Sequence, residues 1–267
     1  HLKTIPDAAP ELIEEAGRLA DRLSINVELP TDAAVQAFAP EKSPAQIRKA
    51  MAGVKLRRAM SKDKTHTGRR PAPFAPAGQS TQVIIGADAA NDLTILKQST
   101  RLYGSYGLKR VYYSAFSPIP DASSRLPLIS PPLQREHRLY QADWLLRFYD
   151  FQLHEIADAA LGGNLDLDID PKLSWALAHR DVFPVDVNAA PREVLLRVPG
   201  FGVKTVTRIL STRRHRTLRY EDISRMGASM KKARAFVRAL GWNPRGLTDA
   251  ADLRATFAPP PEQLTLF

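Results

Sequence analysis

The feature that most constrains this chain is a change of rhythm part-way along it. Before about residue 160, short alternating apolar runs take turns with runs of helical period. After residue 184 only the helical period remains, broken by glycine-containing turns. Residues 10–22 set Leu12, Ile13, Ala16, Leu19 and Ala20 on one helical face, with Pro10 in the first turn. Leu23–Leu29 then alternates as a strand does, residues 45–60 read as a helix, and Thr81–Gly86 (TQVIIG) reads as a second strand. A helix at about 91–104, a third strand at Arg110–Phe116 (RVYYSAF), a proline-rich loop at 118–132 and an amphipathic helix at 134–149 follow. Strands separated by helices pair in parallel, which places this part among the α/β folds.

Three strands are too few to close a barrel. The expectation is an α/β chain, layered or barrel-like in its first part, followed by an all-α domain. Its divisions are residues 1–160, a linker at 161–183, a helical module at 184–256 and a tail at 257–267. The text opens at His1 on what reads as a strand end, so further sequence is expected upstream. Residues 55–70 are dense in charge and run into prolines, the pattern of a loop.

Composition narrows the chemistry. No run of about eighteen apolar residues is present, so no membrane span is expected, and no basic-then-apolar leader opens the chain. A cytoplasmic location fits these features. The chain has no cysteine, which excludes disulfides and any metal or cluster held by its own thiolates. Its net charge is +10 and its pI about 9.9. Between Arg192 and Arg254 there are fifteen Lys and Arg against five Asp and Glu, so this one stretch holds the whole surplus. A polyanionic partner for that stretch follows.

The same stretch carries a motif. Asn188 is placed to cap a short helix, Ala189–Arg197, with Pro191 in its first turn. Val198-Pro199-Gly200-Phe201-Gly202-Val203-Lys204 follows, then a second helix through Arg213. Glycine, apolar residue, glycine between two short helices is the signature of a helix-hairpin-helix. The glycines allow positive φ and a close backbone approach, and the amides opening the second helix can hold a phosphate. Lys204 and Thr205 would add a charge and a hydroxyl.

A shift of twenty-seven residues lays Gly200 on Gly227, Gly202 on Ser229 and Lys204 on Lys231, with Lys232 following: a second, weaker hairpin. Paired hairpins would grip both backbones of duplex DNA across the minor groove without reading sequence. Arg213, Arg214, Arg216, Arg219 and Arg234 would add salt-sensitive affinity. Alternatively, Gly200 and Gly202 only make a tight helical turn; the repeat and the local charge favour the DNA reading.

The final residues, Gln263-Leu264-Thr265-Leu266-Phe267, look like the pentapeptide with which many bacterial DNA enzymes dock on the sliding clamp. Gln263 offers an amide, while Leu264, Leu266 and Phe267 are apolar anchors for a pocket, and the prolines before them favour an extended approach. The other reading is a tail folded back on the core.

Several segments carry a wider likeness: His1–Pro6, Ser24–Pro30, Phe74–Gly86, Leu108–Phe116, Asn164–Lys172 and Phe183–Gly202. The most specific is Arg135–Tyr149 (REHRLYQADWLLRFY). On these the chain resembles the bacterial DNA modification/repair radical S-adenosylmethionine proteins over nearly its whole length. That resemblance implies a partial barrel holding S-adenosylmethionine and a [4Fe-4S] cluster, then the hairpin domain. It also implies a companion protein related to uracil-DNA glycosylases. The three-cysteine cluster motif of that family lies upstream of the segments matched here. Its ligands would come from a preceding segment or another chain, or the cluster has been lost. On matching positions, Asn26 and Glu28 lie two apart near a strand's C-terminal end, as candidates for polar contacts to the adenosyl cofactor. Gly86, closing the next strand, would let the cofactor approach the backbone. A strand end that merely exposes polar side chains explains the same residues.

Weaker groupings complete the reading. Asp166, Asp168 and Asp170 alternate like a calcium loop but lack its glycine and distal glutamate, so they read as a solvated strand face or turn, open to salt bridges with the basic module. Glu136 and His137 open the 134–149 helix, which could line an active site, though capping and surface chemistry are the simpler roles. Tyr112 and Ser114 share a strand face. No nucleophile–base triad and no P-loop can be read. Three function classes remain: the DNA-binding part of a radical enzyme, a non-catalytic adaptor binding DNA and the clamp, and a nucleic-acid-binding helical domain on an inert α/β scaffold with an accidental tail.

Overall fold

A computed structural model describes residues 1–63, 72–120 and 123–258. Among these the protein is mixed α/β, with eleven α-helices, a four-stranded parallel sheet and a separate two-stranded parallel pair. No helix among the described residues is long and apolar enough to cross a membrane. The chain divides into two compact units, His1–Leu139 and Tyr140–Phe267.

The first unit runs β1 (Leu2–Lys3), α1 (Pro10–Leu19), β2 (Arg22–Ser24), α2 (Asp32–Phe38), α3 (Pro44–Met60), β3 (Gly78–Ile85), α4 (Asp92–Tyr106) and β4 (Arg110–Ala115). The strands lie in sequential order β1-β2-β3-β4, all parallel. The helix starts are written locally. The side chains of Thr31, Ser43 and Asn91 each accept from a first-turn backbone N–H, and Pro10 and Pro44 occupy first turns.

The two faces of the sheet differ. Leu23, Ile25, Val83, Ile85, Val111 and Tyr113 are buried. On this side the Tyr113 hydroxyl donates to Ser99 of α4 at 2.9 Å, and the Gln79 amide donates to the Met51 carbonyl of α3 at 3.0 Å. The other row is polar. Ser24, Ser80 and Arg110 stand side by side in register, as do Gln82 and Tyr112. The guanidinium of Arg22 donates to the Tyr112 hydroxyl at 3.2 Å.

Sequence reasoning read 23–29 as one regular strand, and the structure corrects this. Ser24 pairs with Ser80 but Glu28 bridges Val83, so β2 advances four residues while β3 advances three. The extra residue is a bulge, completed by a left-handed Glu28 (φ 64°). Asn26 and Glu28 therefore do not share a face, despite their spacing of two.

Helix α5 (Leu133–Phe148) begins with two residues that fasten the C-terminal edge of this sheet. Arg135 donates to the buried Asp92 carboxylate at 2.7 Å and to the Ala90 carbonyl at 2.8 Å. The Glu136 carboxylate accepts from the Ala115 amide, just where β4 stops, at 3.1 Å. Glu136 is thus a structural acceptor.

The second unit contains α6 (Leu153–Asp158), α7 (Pro171–Ala178), β5 (Val185–Asp186), α8 (Arg192–Arg197), α9 (Val203–Thr212), α10 (Tyr220–Arg225), α11 (Met230–Ala233) and β6 (Val237–Arg238). It is not all-α, because β5 and β6 pair in parallel. Nor does its core begin at residue 184. Trp175 meets Phe151 and Phe183 edge-on, and Phe183 meets Phe236 at 5.0 Å between ring centres. The stretch expected as a linker, 161–183, supplies Trp175, Phe183 and helix α7. Aromatic burial of this kind outweighs the polar, turn-rich look of the surrounding sequence.

Candidate nucleic-acid interface

Two glycine turns of similar construction dominate the second unit. Helices α8 and α9 are joined through Gly200 (φ 83°), and α10 and α11 through Gly227 (φ 89°). Gly202 caps α9 and Ser229 caps α11, so the twenty-seven-residue repeat is also a repeat of backbone geometry. The first helix starts at Arg192, three residues later than the sequence suggested. Asp186 organises a turn that bonds the amides of Ala189 and Ala190 to its carbonyl. Asn188 is no cap; its side chain satisfies both backbone groups of Leu218, at 3.1 and 2.8 Å.

The turns pack on each other. The Ser229 amide donates to the Gly200 carbonyl at 3.0 Å. A Cβ on Gly200 would stand 2.5 Å from the Ser229 carbonyl oxygen, so only glycine fits there. Gly202 differs: its φ is −94°, and a Cβ would meet only the Tyr149 hydroxyl, at 3.7 Å. The first glycine joins the two turns, and the second keeps the opening of α9 clear.

The expected interface residues divide accordingly. Phe201 is 2% exposed and belongs to the core, not to a surface. Thr205 is buried, and its hydroxyl donates to the Met226 carbonyl at 3.3 Å. Arg213 donates to the carbonyls of Val187 and Ala190, at 3.1 and 2.6 Å. Lys232 pairs with Asp170 at 2.6 Å, and Arg216 with Asp222 at 2.7 Å. That pair, with the Arg219 amide, holds the Asp222 carboxyl well below the usual carboxylate range. Val203 is half-buried at the start of α9. Lys204, Arg214 and Lys231 are exposed, and none forms an ion pair with a described residue. Gly227 and Ser229 are exposed at the second turn. Buried apolar and hydroxyl side chains build the turns, then, while the flanking lysines face outward.

Sequence reasoning missed a cavity of about 450 Å³ beside the first turn. It is lined by Trp144, Tyr149, Asp170, Lys172, Gly202 and Lys232, among others. Lys172 is 7% exposed, and its ammonium donates to the Phe201 carbonyl at 2.6 Å. Burial, opposed in part by Asp170 and reinforced by Arg197 and Lys232, lowers its pKa to about 7. The Tyr149 hydroxyl accepts from the Val203 amide, and burial pushes its own pKa up. Pro171-Lys172 at a helix start gives no sign of such depth, because lysine in a first turn is ordinarily solvated.

The aspartate-rich loop is a salt-bridged turn. Arg254 pairs with Asp166 at 2.9 Å and Asp168 at 3.7 Å, while Asp170 caps α7. Among the described residues no group of three or more His, Asp or Glu could hold a metal ion. With no cysteine in the sequence, the chain's own side chains do not fit a [4Fe-4S] cluster.

The three candidates for the adenosyl cofactor are also committed elsewhere. The Asn26 amide donates to Gln82 at 3.4 Å, and Glu28 pairs with Lys42 at 2.6 Å. At Gly86 (φ 79°) a Cβ would fall 2.6 Å from the Pro131 side chain, so proline packs against this glycine. Gln263, Leu264, Leu266 and Phe267 lie outside the described residues. No family model, curated protein or solved structure matches this chain.

Proposed function

We propose that the second unit holds duplex DNA through two helix-hairpin-helix turns, as the DNA-binding part of a modification or repair protein of the radical S-adenosylmethionine type. The observation that carries the DNA reading is the geometric repeat: Gly200 and Gly227 share positive φ, and exposed Lys204 and Lys231 follow at equivalent places. Two such turns, fixed to each other by the Ser229–Gly200 bond, present two helix openings and their lysines as one rigid pair. Sequence-independent backbone binding is the behaviour that arrangement favours. The first unit fits a portion of a (β/α) barrel. Its strands are parallel and sequential, with one apolar face under α3 and α4 and one polar face.

Fluorescence anisotropy with short duplexes of unrelated sequence tests the reading. The affinity should be similar for each sequence and fall steeply with salt. The double variant Lys204→Gln/Lys231→Gln should weaken binding and make the log–log salt slope shallower by about 2, roughly one per phosphate contact. An unchanged slope would refute the hairpin interface. A second reading is a non-catalytic adaptor binding DNA and the clamp. It makes the same DNA prediction and differs only in the chemistry of the first unit.

A further inference from the structure

The buried amine of Lys172 is more than the DNA-holding reading requires. Asp170 caps α7, Pro171 opens it, and Lys172 turns inward as its second residue. The nitrogen sits 4.7 Å from the centre of the Tyr149 ring and bonds the Phe201 carbonyl. The charged groups facing it are Asp170 on its own helix, Arg197 on α8 and Lys232 on α11. The one carboxylate among them is already paired to Lys232. Two cations and burial therefore act against a single shared anion, and at neutral pH much of the amine carries a free lone pair.

An uncharged lysine in a cavity is a nucleophile toward carbonyl compounds. Intact DNA offers it no partner, because bases and phosphodiesters do not condense with amines. A deoxyribose that has lost its base does, since its ring opens to an aldehyde at C1′. The cavity of about 450 Å³ lies within the usual range for a small-molecule pocket, and Gly200 and Gly202 of the first turn line it.

We propose that Lys172 is an amine nucleophile for an aldehyde carried by DNA, the ring-opened sugar of an abasic site received in this cavity. The assignment of DNA as the carrier rests on the hairpin reading. In the step, the Nζ lone pair attacks the aldehyde carbon and a C–N bond forms. The two amine protons leave with the carbonyl oxygen as one water, and a C=N bond remains. No oxidant or further reactant is consumed.

Trapping with cyanoborohydride near pH 7 tests this on the full chain. A duplex with one abasic site should give a covalent protein–DNA species whose peptide map places the link at Lys172, and an intact duplex should give none. Lys172→Gln and Lys172→Arg should lower the yield at least tenfold. A parallel reaction with glycolaldehyde, without DNA, should label Lys172 at least tenfold faster than the surface lysines; this arm uses the unaltered protein, so no variant needs to fold. Bound abasic duplex without an adduct, or an adduct spread over other lysines, overturns the proposal. Selective glycolaldehyde labelling with no duplex binding supports the nucleophile and rejects the hairpin reading, so the two failures are distinguishable.

Discussion

Gly200→Ala probes whether the two turns form one body. Gly200 has φ 83°, a region where an L-residue is strained by roughly 1–2 kcal/mol. Its new methyl would also stand 2.5 Å from the Ser229 carbonyl oxygen and 3.2 Å from the Lys232 Cβ. Such overlap in a packed region costs about 1–3 kcal/mol. Gly241 is the internal control: its φ is 81°, yet nothing lies within 4 Å of its Cβ position. Gly241→Ala should therefore cost only the backbone share.

The difference between the two variants, roughly 1–3 kcal/mol, corresponds to a melting temperature lower by about 4–12 °C, at ~4 °C per kcal/mol for a unit of this size. Thermal melts followed by far-UV circular dichroism, with urea titrations to check the free energies, measure both. If Gly200→Ala melts no lower than Gly241→Ala, the close packing of the turns is refuted, and with it the rigid pair.

Gly202→Ala should be tolerated, at less than about 1 kcal/mol, because φ is already −94° and the nearest neighbour is 3.7 Å from the Cβ; a loss matching that of Gly200→Ala in the same melts would contradict the separate roles of the two glycines. Arg135→Ala should destabilise the first unit by roughly 3 kcal/mol in urea titration, since it strips the guanidinium from a buried carboxylate. A change under 1 kcal/mol would show the pair to be dispensable. Lys172 binds its proton less tightly in the fold than when unfolded, so the unfolded chain holds more protons between pH 7 and 10.5. Stability should rise across that window by up to about 1.4 kcal/mol for each pH unit, and Lys172→Met should flatten the rise; an equal slope in both proteins would rule out the depressed pKa. Asp222 has a lowered pKa, so its contribution is complete above the ordinary carboxylate value of 3.8 and fades as pH falls below it. Asp222→Asn should destabilise at pH 7 and converge on the parent in strong acid. Removing residues 263–267 should abolish capture by a bacterial sliding clamp while duplex affinity stays constant, and capture of the truncated chain would refute the docking tail.

What could be read without coordinates was local or periodic. The helix start at Pro10 follows from a residue that fixes φ within the first turn. Strand–helix alternation implied a parallel sheet, and the repeat at twenty-seven residues implied matching turns; both rest on spacings that survive any tertiary context.

The uses of individual side chains were decided only by what lies against them. Gly200 and Gly202 look alike in sequence, yet a Cβ on the first would meet the Ser229 backbone oxygen at 2.5 Å and one on the second only the Tyr149 hydroxyl at 3.7 Å. Arg213 and Thr205 read as DNA contacts because both are polar, but in the fold Arg213 bonds the carbonyls of Val187 and Ala190, and Thr205 bonds that of Met226. Asn26 and Glu28 parted because a bulge opposite β3 reset the alternation. Lys172 acquired its lowered pKa from burial beside α8 and α11, charges brought near by folding and invisible in the order of residues. Spacing along a chain settles periodicity; desolvation, partners and close approach exist only once distant segments meet.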